Sequence, residues 1–393
     1  MTPAARVQAA IEILDAWCAA DTGLDRILAN WARAHRFAGS GDRRAIADLV
    51  YDAIRRRRSA AWVASTPEDD AAGLARGSLM LAHANLADFF DGSRYGPATL
   101  TDAERIARAL DDAPRPVCLD YPDWLANDLA EISDAALEAL RTRAPVDLRV
   151  NALKATPDTA ISALLTDGIE VVKVPRVETA LRVQDGARRV SQSQAYVDGL
   201  VEIQDAASQA VAAFAGAEPG MTVLDLCAGG GGKTLALAAA MQGEGRIIAH
   251  DIAEKRMQDL PARAARAGVN VEVLASDALS DWHGAFDLVV VDAPCSGSGA
   301  WRRNPDHKWR LTETGLIEVE AVQAALLDQA VNLCAQNGRI AYMTCSILAC
   351  ENQRQMTGFL TRHPAWRGDG ELALSPADDV DGFYAARFSR NDC

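Results

Sequence analysis

Much that would mark other protein classes is missing from this 393-residue sequence. No uninterrupted apolar run reaches the roughly 20 residues that a membrane-spanning helix needs. The opening Met1-Thr-Pro-Ala-Ala-Arg6 also lacks the apolar core of a secretory signal. Both absences set the expectation of a cytoplasmic protein with no membrane partner. Eight cysteines are present (Cys18, Cys118, Cys227, Cys295, Cys334, Cys345, Cys350 and Cys393), but with no Cys-x-x-Cys pair and no Cys/His cluster of zinc-ligand spacing. They read as reduced thiols, and no metal is expected. Basic charge is short as well. The 40 Lys and Arg against 54 Asp and Glu leave a net charge of −14, which excludes a generally basic nucleic-acid coat. Neither an internal repeat nor a low-complexity linker interrupts the chain. A composition of 49% hydrophobic and 24% charged residues is that of a soluble globular protein, long enough for two or three domains.

Any contact with a polyanion must therefore come from local patches. Arg55 to Arg58 form one run, Arg141, Arg143, Arg149 and Lys154 a looser group, and Arg302, Arg303, Lys308 and Arg310 a third, close after Cys295. Residues 101 to 150 hold 6 basic and 11 acidic side chains, and residues 201 to 300 hold 6 and 13. The acidity is regional, so polyanion binding is expected to rest on a few phosphate contacts with a modest salt dependence.

Along the chain, the first 140 or so residues read as helical. Leu24, Ile27, Leu28 and Trp31 recur at spacings of three and four, as do Ile46, Leu49, Val50 and Ile54. Thr101-Asp-Ala-Glu104 has the form of a capping box opening a further helix. The pattern changes near Arg143-Ala-Pro145. Leu148 to Lys154 alternates like a strand, Thr156 to Leu165 suits a helix and Gly168 to Val174 a strand, together a small α+β module. From about Glu202 strands and helices alternate, with strands expected at Thr222–Leu226, Arg246–His250, Val271–Leu274, Asp287–Val291 and Arg339–Met343. Such alternation implies a mostly parallel sheet covered on both faces, with ligands beyond the carboxyl ends of the strands.

The motifs fall at those ends. Asp225-Leu-Cys-Ala-Gly-Gly-Gly-Gly-Lys-Thr234 ends in the Gly-Lys-Thr of a phosphate-binding loop, but the first glycine of that loop would have to be Cys227. A dinucleotide fingerprint fits poorly too, since Thr234 would take its third glycine position. What remains is a glycine turn between a strand and a helix N-terminus, through Cys227, Ala228, Gly229, Gly230, Gly231, Gly232 and Lys233, which lets the backbone approach a ligand carboxylate. That suits the methionine end of S-adenosyl-L-methionine. Asp251 follows the next strand where a carboxylate can accept ribose hydroxyls, and Asp277 follows the third, placed to receive an adenine amino group. Two cysteine motifs, Asp292-Ala-Pro-Cys-Ser-Gly297 and Thr344-Cys-Ser346, lie at neighbouring strand ends. Carbon 5 of cytosine accepts a methyl group only after a thiolate adds to carbon 6, and cysteine both adds and leaves readily. The target base would have to be flipped or unpaired.

Taken together these motifs resemble the RNA cytosine carbon-5 methyltransferases of the Sun/Nop family over about Leu148 to Arg390. Leu148-Arg-Val-Asn-Ala-Leu-Lys154, Gln204-Asp-Ala-Ala-Ser-Gln209 and Asp381-Gly-Phe-Tyr384 add to the resemblance. Asp42-Arg-Arg-Ala-Ile-Ala-Asp-Leu-Val-Tyr-Asp-Ala-Ile-Arg55 is similar to the NusB-like domain that RsmB-type enzymes carry in front. The resemblance implies that Cys345 is the nucleophile and that Cys295 assists release of the methylated base. Spacing does not decide this order, because DNA cytosine methyltransferases use the Pro-Cys cysteine as nucleophile. It further implies that Asp292 contacts the cofactor's methionine end or the base, and that Lys233 supports the cofactor loop or a nearby phosphate. One departure stands out: the family's Cys-Ala-Ala-Pro-Gly-Gly-Lys is here Cys227-Ala-Gly-Gly-Gly-Gly-Lys233.

The reading is a helical NusB-like RNA-binding domain over 1–140, a small RRM-like α+β module over 141–200 and a Rossmann-like α/β methyltransferase domain over 201–393. It is expected to methylate carbon 5 of a cytosine in small-subunit ribosomal RNA, with Arg302, Arg303 and Arg310 as RNA contacts, no DNA partner, and a monomeric state. The alternatives are a tRNA substrate, a non-catalytic ribosome-assembly factor, and a small-molecule methyltransferase, which would need neither the helical front nor two cysteines.

Overall fold

The computed structural model describes residues 1–391. The chain divides into two compact units. One comprises Met1–Arg143 with Trp301–Leu311, and the other the remaining described residues from Ala144 onward.

The first unit is built on five helices, Pro3–Ala19, Leu24–Ala34, Ser40–Arg55, Arg57–Val63 and Ala71–Leu81. The first starts where the Thr2 hydroxyl accepts the Ala5 N–H and a proline occupies the first turn. The last starts at Asp70, whose carboxylate accepts the N–H groups of Ala72 and Gly73. Ile13, Leu14, Ile46, Val50, Ile54 and Leu74 meet in the core, which is the face that the spacing of Ile46, Val50 and Ile54 predicts. Gly77 is needed for this packing, since a Cβ there would lie 1.9 Å from the carbonyl oxygen of Ala60.

Between Ala82 and Ser133 the expected helices are largely absent, and only short turns and one four-residue helix, Arg115–Cys118, occur. The Thr101/Glu104 box does form, with Glu104 accepting both the N–H and the hydroxyl of Thr101, yet it opens only the single turn Ala103–Arg105. Long-range bonds win there. Arg76 pairs with Glu104, and the Arg108 N–H turns to the carbonyl of Val63.

Trp301–Leu311 completes this unit from far along the chain. Asp306 accepts the Trp17 indole N–H at 2.5 Å and the Leu24 N–H at 3.1 Å. The Trp309 indole donates to the Ile54 carbonyl at 2.7 Å, and the Arg55 guanidinium to the Arg302 carbonyl at 2.7 Å.

The second unit holds two sheets. Strands β1 (Asp147–Val150), β2 (Glu170–Lys173), β3 (Ala180–Asp185) and β4 (Val201–Ile203) form an antiparallel sheet in the order β2-β3-β1-β4. The helix Pro157–Thr166, capped by Thr156, packs Ala160 and Leu164 with Leu148, Val150 and Leu181. Strands β5 (Thr222–Asp225), β6 (Arg246–Ala249), β7 (Glu272–Val273), β8 (Phe286–Asp292), β9 (Cys334–Thr344), β10 (Trp366–Leu374) and β11 (Phe383–Arg390) form a sheet ordered β10-β11-β9-β8-β5-β6-β7. Strands β5 to β9 pair in parallel and β11 runs antiparallel to both its neighbours. Alternation along β8 sends Val289 and Val291 to one apolar layer and Leu288 and Val290 to the other, so the sheet is covered on both faces as its composition requires. The small sheet is fastened to the large one by polar bonds. Asn151 donates to the Ala267 carbonyl at 2.8 Å, and Arg149 on β1 to the Gly232 carbonyl at 2.7 Å.

Candidate functional site

The parallel strands end in a common row. At the end of β5 the chain enters a turn in which Gly229 and Gly231 take left-handed conformations, with φ of +53° and +80°. A Cβ on Gly231 would lie 2.2 Å from Leu260, so this position must be glycine for both conformation and space. The helix Gly232–Ala240 then begins, with its free N–H groups at the turn. Asp251, immediately after β6, is buried and accepts the N–H groups of Gly229 and Ala253, both at 2.9 Å, while pairing with Arg256 at 3.1 Å. Asp277 is exposed in the first turn of the segment after β7. This cradle suits the carboxylate and ribose of a nucleoside cofactor, since backbone N–H groups face one end and a buried carboxylate the other.

Lys233 and Asp292 meet across the strand ends at 2.7 Å. Burial pulls the Lys233 ammonium down, but the adjoining Asp292 outweighs it and leaves the lysine above its ordinary range. Cys295 and Cys345 are brought together by two loops 50 residues apart, with Sγ to Sγ 3.3 Å. The hydrogen bond to Cys345 together with burial and the charge of Cys345 hold the Cys295 thiol well above its usual range. Cys227 belongs to the turn, and burial pushes its thiol up as well, which marks it as an unreactive one. The seven described cysteines are free thiols, and Cys393 lies outside the described residues. Among the described residues no cluster of three or more His, Cys, Asp or Glu could hold a metal, and no helix is long and apolar enough to cross a membrane.

The basic patches expected from the sequence are used inside the units. Arg302, expected as an RNA contact, is buried with 1% exposure, and Arg310 pairs with Asp306 and Asp21, both at 2.7 to 2.8 Å. Arg303 is half-buried and also partnered. Residues 301–311 fold into the helical unit, where Asp306, Asp21 and the carbonyls of Ala20 and Thr22 take up the Arg310 guanidinium. The other two patches fare likewise. Arg58 binds Asp123 and Glu68, Arg141 binds the fully buried Asp120, and Arg149 is buried beneath the glycine turn.

Reading the motifs alone misses Glu351, six residues after Cys345. It is fully buried and accepts the N–H of Ser296 at 2.7 Å. An acidic residue in the otherwise apolar stretch Ile347-Leu-Ala-Cys-Glu351 is the signal that could have found it.

This sheet, with a glycine turn and acidic residues on successive strand ends, defines a Rossmann-like S-adenosylmethionine-dependent methyltransferase fold. The family model for 16S rRNA methyltransferase RsmB/F matches residues 213–389, and the RsmF/B-like ferredoxin-like domain matches residues 121–190. The chain belongs to the RsmB/F family. It is 33% identical over 290 residues to the ribosomal RNA small subunit methyltransferase B of Pectobacterium atrosepticum, and 32% identical over 283 residues to that of Citrobacter koseri. These alignments take in 69% and 68% of this chain and 66% of each relative, so the match spans just under two thirds of the curated relatives' length. Among solved structures, PH0851 superposes with a TM-score of 0.77 at 24% identity over 99% of both chains. NSun6 from Pyrococcus horikoshii, solved with SFG, superposes with a TM-score of 0.61 at 17% identity over 69% of this chain and 97% of its own. At these identities the two structures speak for the fold alone.

Proposed function

We propose that this protein transfers a methyl group to carbon 5 of a cytosine in small-subunit ribosomal RNA. The observation that carries the reading is the 3.3 Å approach of two thiols at the strand ends beside the Lys233–Asp292 pair. The names of the curated relatives favour this RNA over tRNA.

S-adenosylmethionine, bound by residues 227–233, Asp251 and Asp277, would supply an electrophilic methyl group. The Cys345 thiolate forms a bond to carbon 6 and so pushes electron density to carbon 5, which then takes the methyl group. Cys295 donates a hydrogen bond to Cys345 beforehand. Once Cys345 is bonded to the base, its charge no longer opposes ionisation of Cys295. The Cys295 thiolate can then take the proton from carbon 5; the freed electron pair restores the ring double bond and expels Cys345. Lys233 and Asp292 fix the wall between cofactor turn and cysteines. The unpaired base must enter from outside the strand ends.

The test incubates wild type, C295A and C345A with S-adenosylmethionine and ribosomal RNA from a deletion strain, scoring methylation and protein–RNA adducts that survive denaturation. C295A is expected to accumulate an adduct and C345A to give neither adduct nor product. The reverse pattern moves the nucleophile to Cys295. Absence of methylation by wild type, with tRNA methylated instead, would change the substrate, and with neither methylated would favour an assembly role.

A further inference from the structure

Glu351 is not part of the steps above, yet it is among the most constrained groups in the molecule. Its carboxylate accepts the N–H and hydroxyl of Ser296, the hydroxyl of Ser346, and the side-chain amide of Gln323 at 3.0 Å. Ser296 follows Cys295 and Ser346 follows Cys345. The same Gln323 amide reaches the carbonyl of Pro294, on the other side of Cys295, at 3.0 Å. Ser298 and Ser346 share a hydroxyl contact of 2.8 Å, and the Gly299 N–H donates to the Cys345 carbonyl at 2.9 Å. Glu351 itself is anchored from behind, since Tyr342 on β9 donates to its carbonyl at 2.7 Å.

An unpartnered carboxylate this deeply buried would be strongly disfavoured. Here hydrogen bonds from both loops satisfy it, and breaking either set leaves a fully buried carboxylate short of donors. The two loops come from β8 and β9, which pair with each other as far as Asp292 and Met343; β9 stays paired with β11 through Thr344, but no strand pairing includes Cys295 or Cys345. We propose that Glu351 is a positioning residue that clamps the two cysteine loops and sets the separation of Cys295 and Cys345. The catalytic consequence rests on the two-cysteine reading, whereas the geometric claim does not.

The two consequences are measured separately. Diamide oxidises neighbouring thiols: the S–S bond forms, and both thiol protons and two electrons pass to the diazene, giving a hydrazine. A disulfide is about 2.05 Å long, so thiols at 3.3 Å need little movement to form one. The full-length wild type is expected to form the Cys295–Cys345 crosslink, read by peptide mass spectrometry. E351A is expected to do so about tenfold more slowly and to lose about 100-fold in kcat, in keeping with the cost of an ångström-scale misplacement, with unchanged S-adenosylmethionine affinity. S296A and S346A, which each remove one arm and keep the carboxylate, are expected to fall between, should E351A fold poorly. E351Q keeps the shape and one acceptor and is expected to restore part of the crosslinking rate. Variants with lowered melting temperature but wild-type crosslinking rates would make Glu351 a fold-stabilising group and overturn the proposal. If crosslinking collapses in the variants while wild type methylates no RNA, the clamp stands and the proposed function falls.

Discussion

Asp225 ends β5 fully buried, with its carboxylate accepting the Thr234 hydroxyl at 2.7 Å. Burial raises its pKa from the ordinary 3.8 to about 7, with Thr234 opposing the shift and Asp292 adding to it. The sign follows from linkage. Because the folded value lies above the unfolded one, the folded state holds a proton that the unfolded chain releases first. The stabilisation is complete below about pH 4 and is lost as pH rises to about 7. D225N keeps an acceptor for Thr234 and removes the titration. Its stability relative to wild type, from urea unfolding at a series of pH values, is expected to rise between pH 4 and 7 and stay level above. A difference independent of pH would show that Asp225 is ionised in the fold. Asp225 thus titrates where Cys295 does not, since the neighbouring Cys345 holds that thiol protonated.

At the scale of the element, the cofactor turn departs from its family by having glycine where proline is usual. Gly230 is not among the residues of positive φ, and a Cβ there would meet only the end of the Arg263 side chain, at 3.2 Å. G230P is therefore expected to be tolerated and to stabilise the protein by about 0.4–1 kcal/mol through a less flexible unfolded chain. Its effect on S-adenosylmethionine affinity, by calorimetry, is expected to stay within a few-fold. Tightening from undetectable to micromolar would mean that this turn has lost binding. The turn and the Thr101 box teach opposite lessons about local signals. Glycine at 231 is required by its own backbone and by Leu260, so the local pattern and the tertiary structure agree. At Thr101 the local bonds form, but partners from distant residues stop the helix after one turn.

For the whole molecule, the return of residues 301–311 to the helical unit makes that unit depend on chain some 160 residues beyond its own end at Arg143. Asp306 is its main polar fastening, because it satisfies the buried Trp17 indole and the first N–H of the helix at Leu24. Removing it in D306A leaves both donors without that acceptor, and is expected to cost about 2–3 kcal/mol in urea unfolding of the full chain. D306N, which keeps one acceptor, is expected to recover part of the loss. A cost near zero would show that water replaces the carboxylate.

By itself the sequence determined the parallel sheet, the glycine turn, the acidic residues after β6 and β7, and the placing of both cysteines at strand ends. These are local: strand alternation, glycine conformation and motif spacing act over a few residues. Only the tertiary structure decided that Cys295 and Cys345 approach to 3.3 Å, that Glu351 ties their loops, and that the arginines after Cys295 serve the helical unit. A buried carboxylate or guanidinium takes whichever donors or acceptors the fold brings within reach. The partners that join distant segments, Cys295 with Cys345, Glu351 with Ser296 and Arg310 with Asp21, lie 50 to nearly 300 residues apart along the chain, where no local pattern can name them.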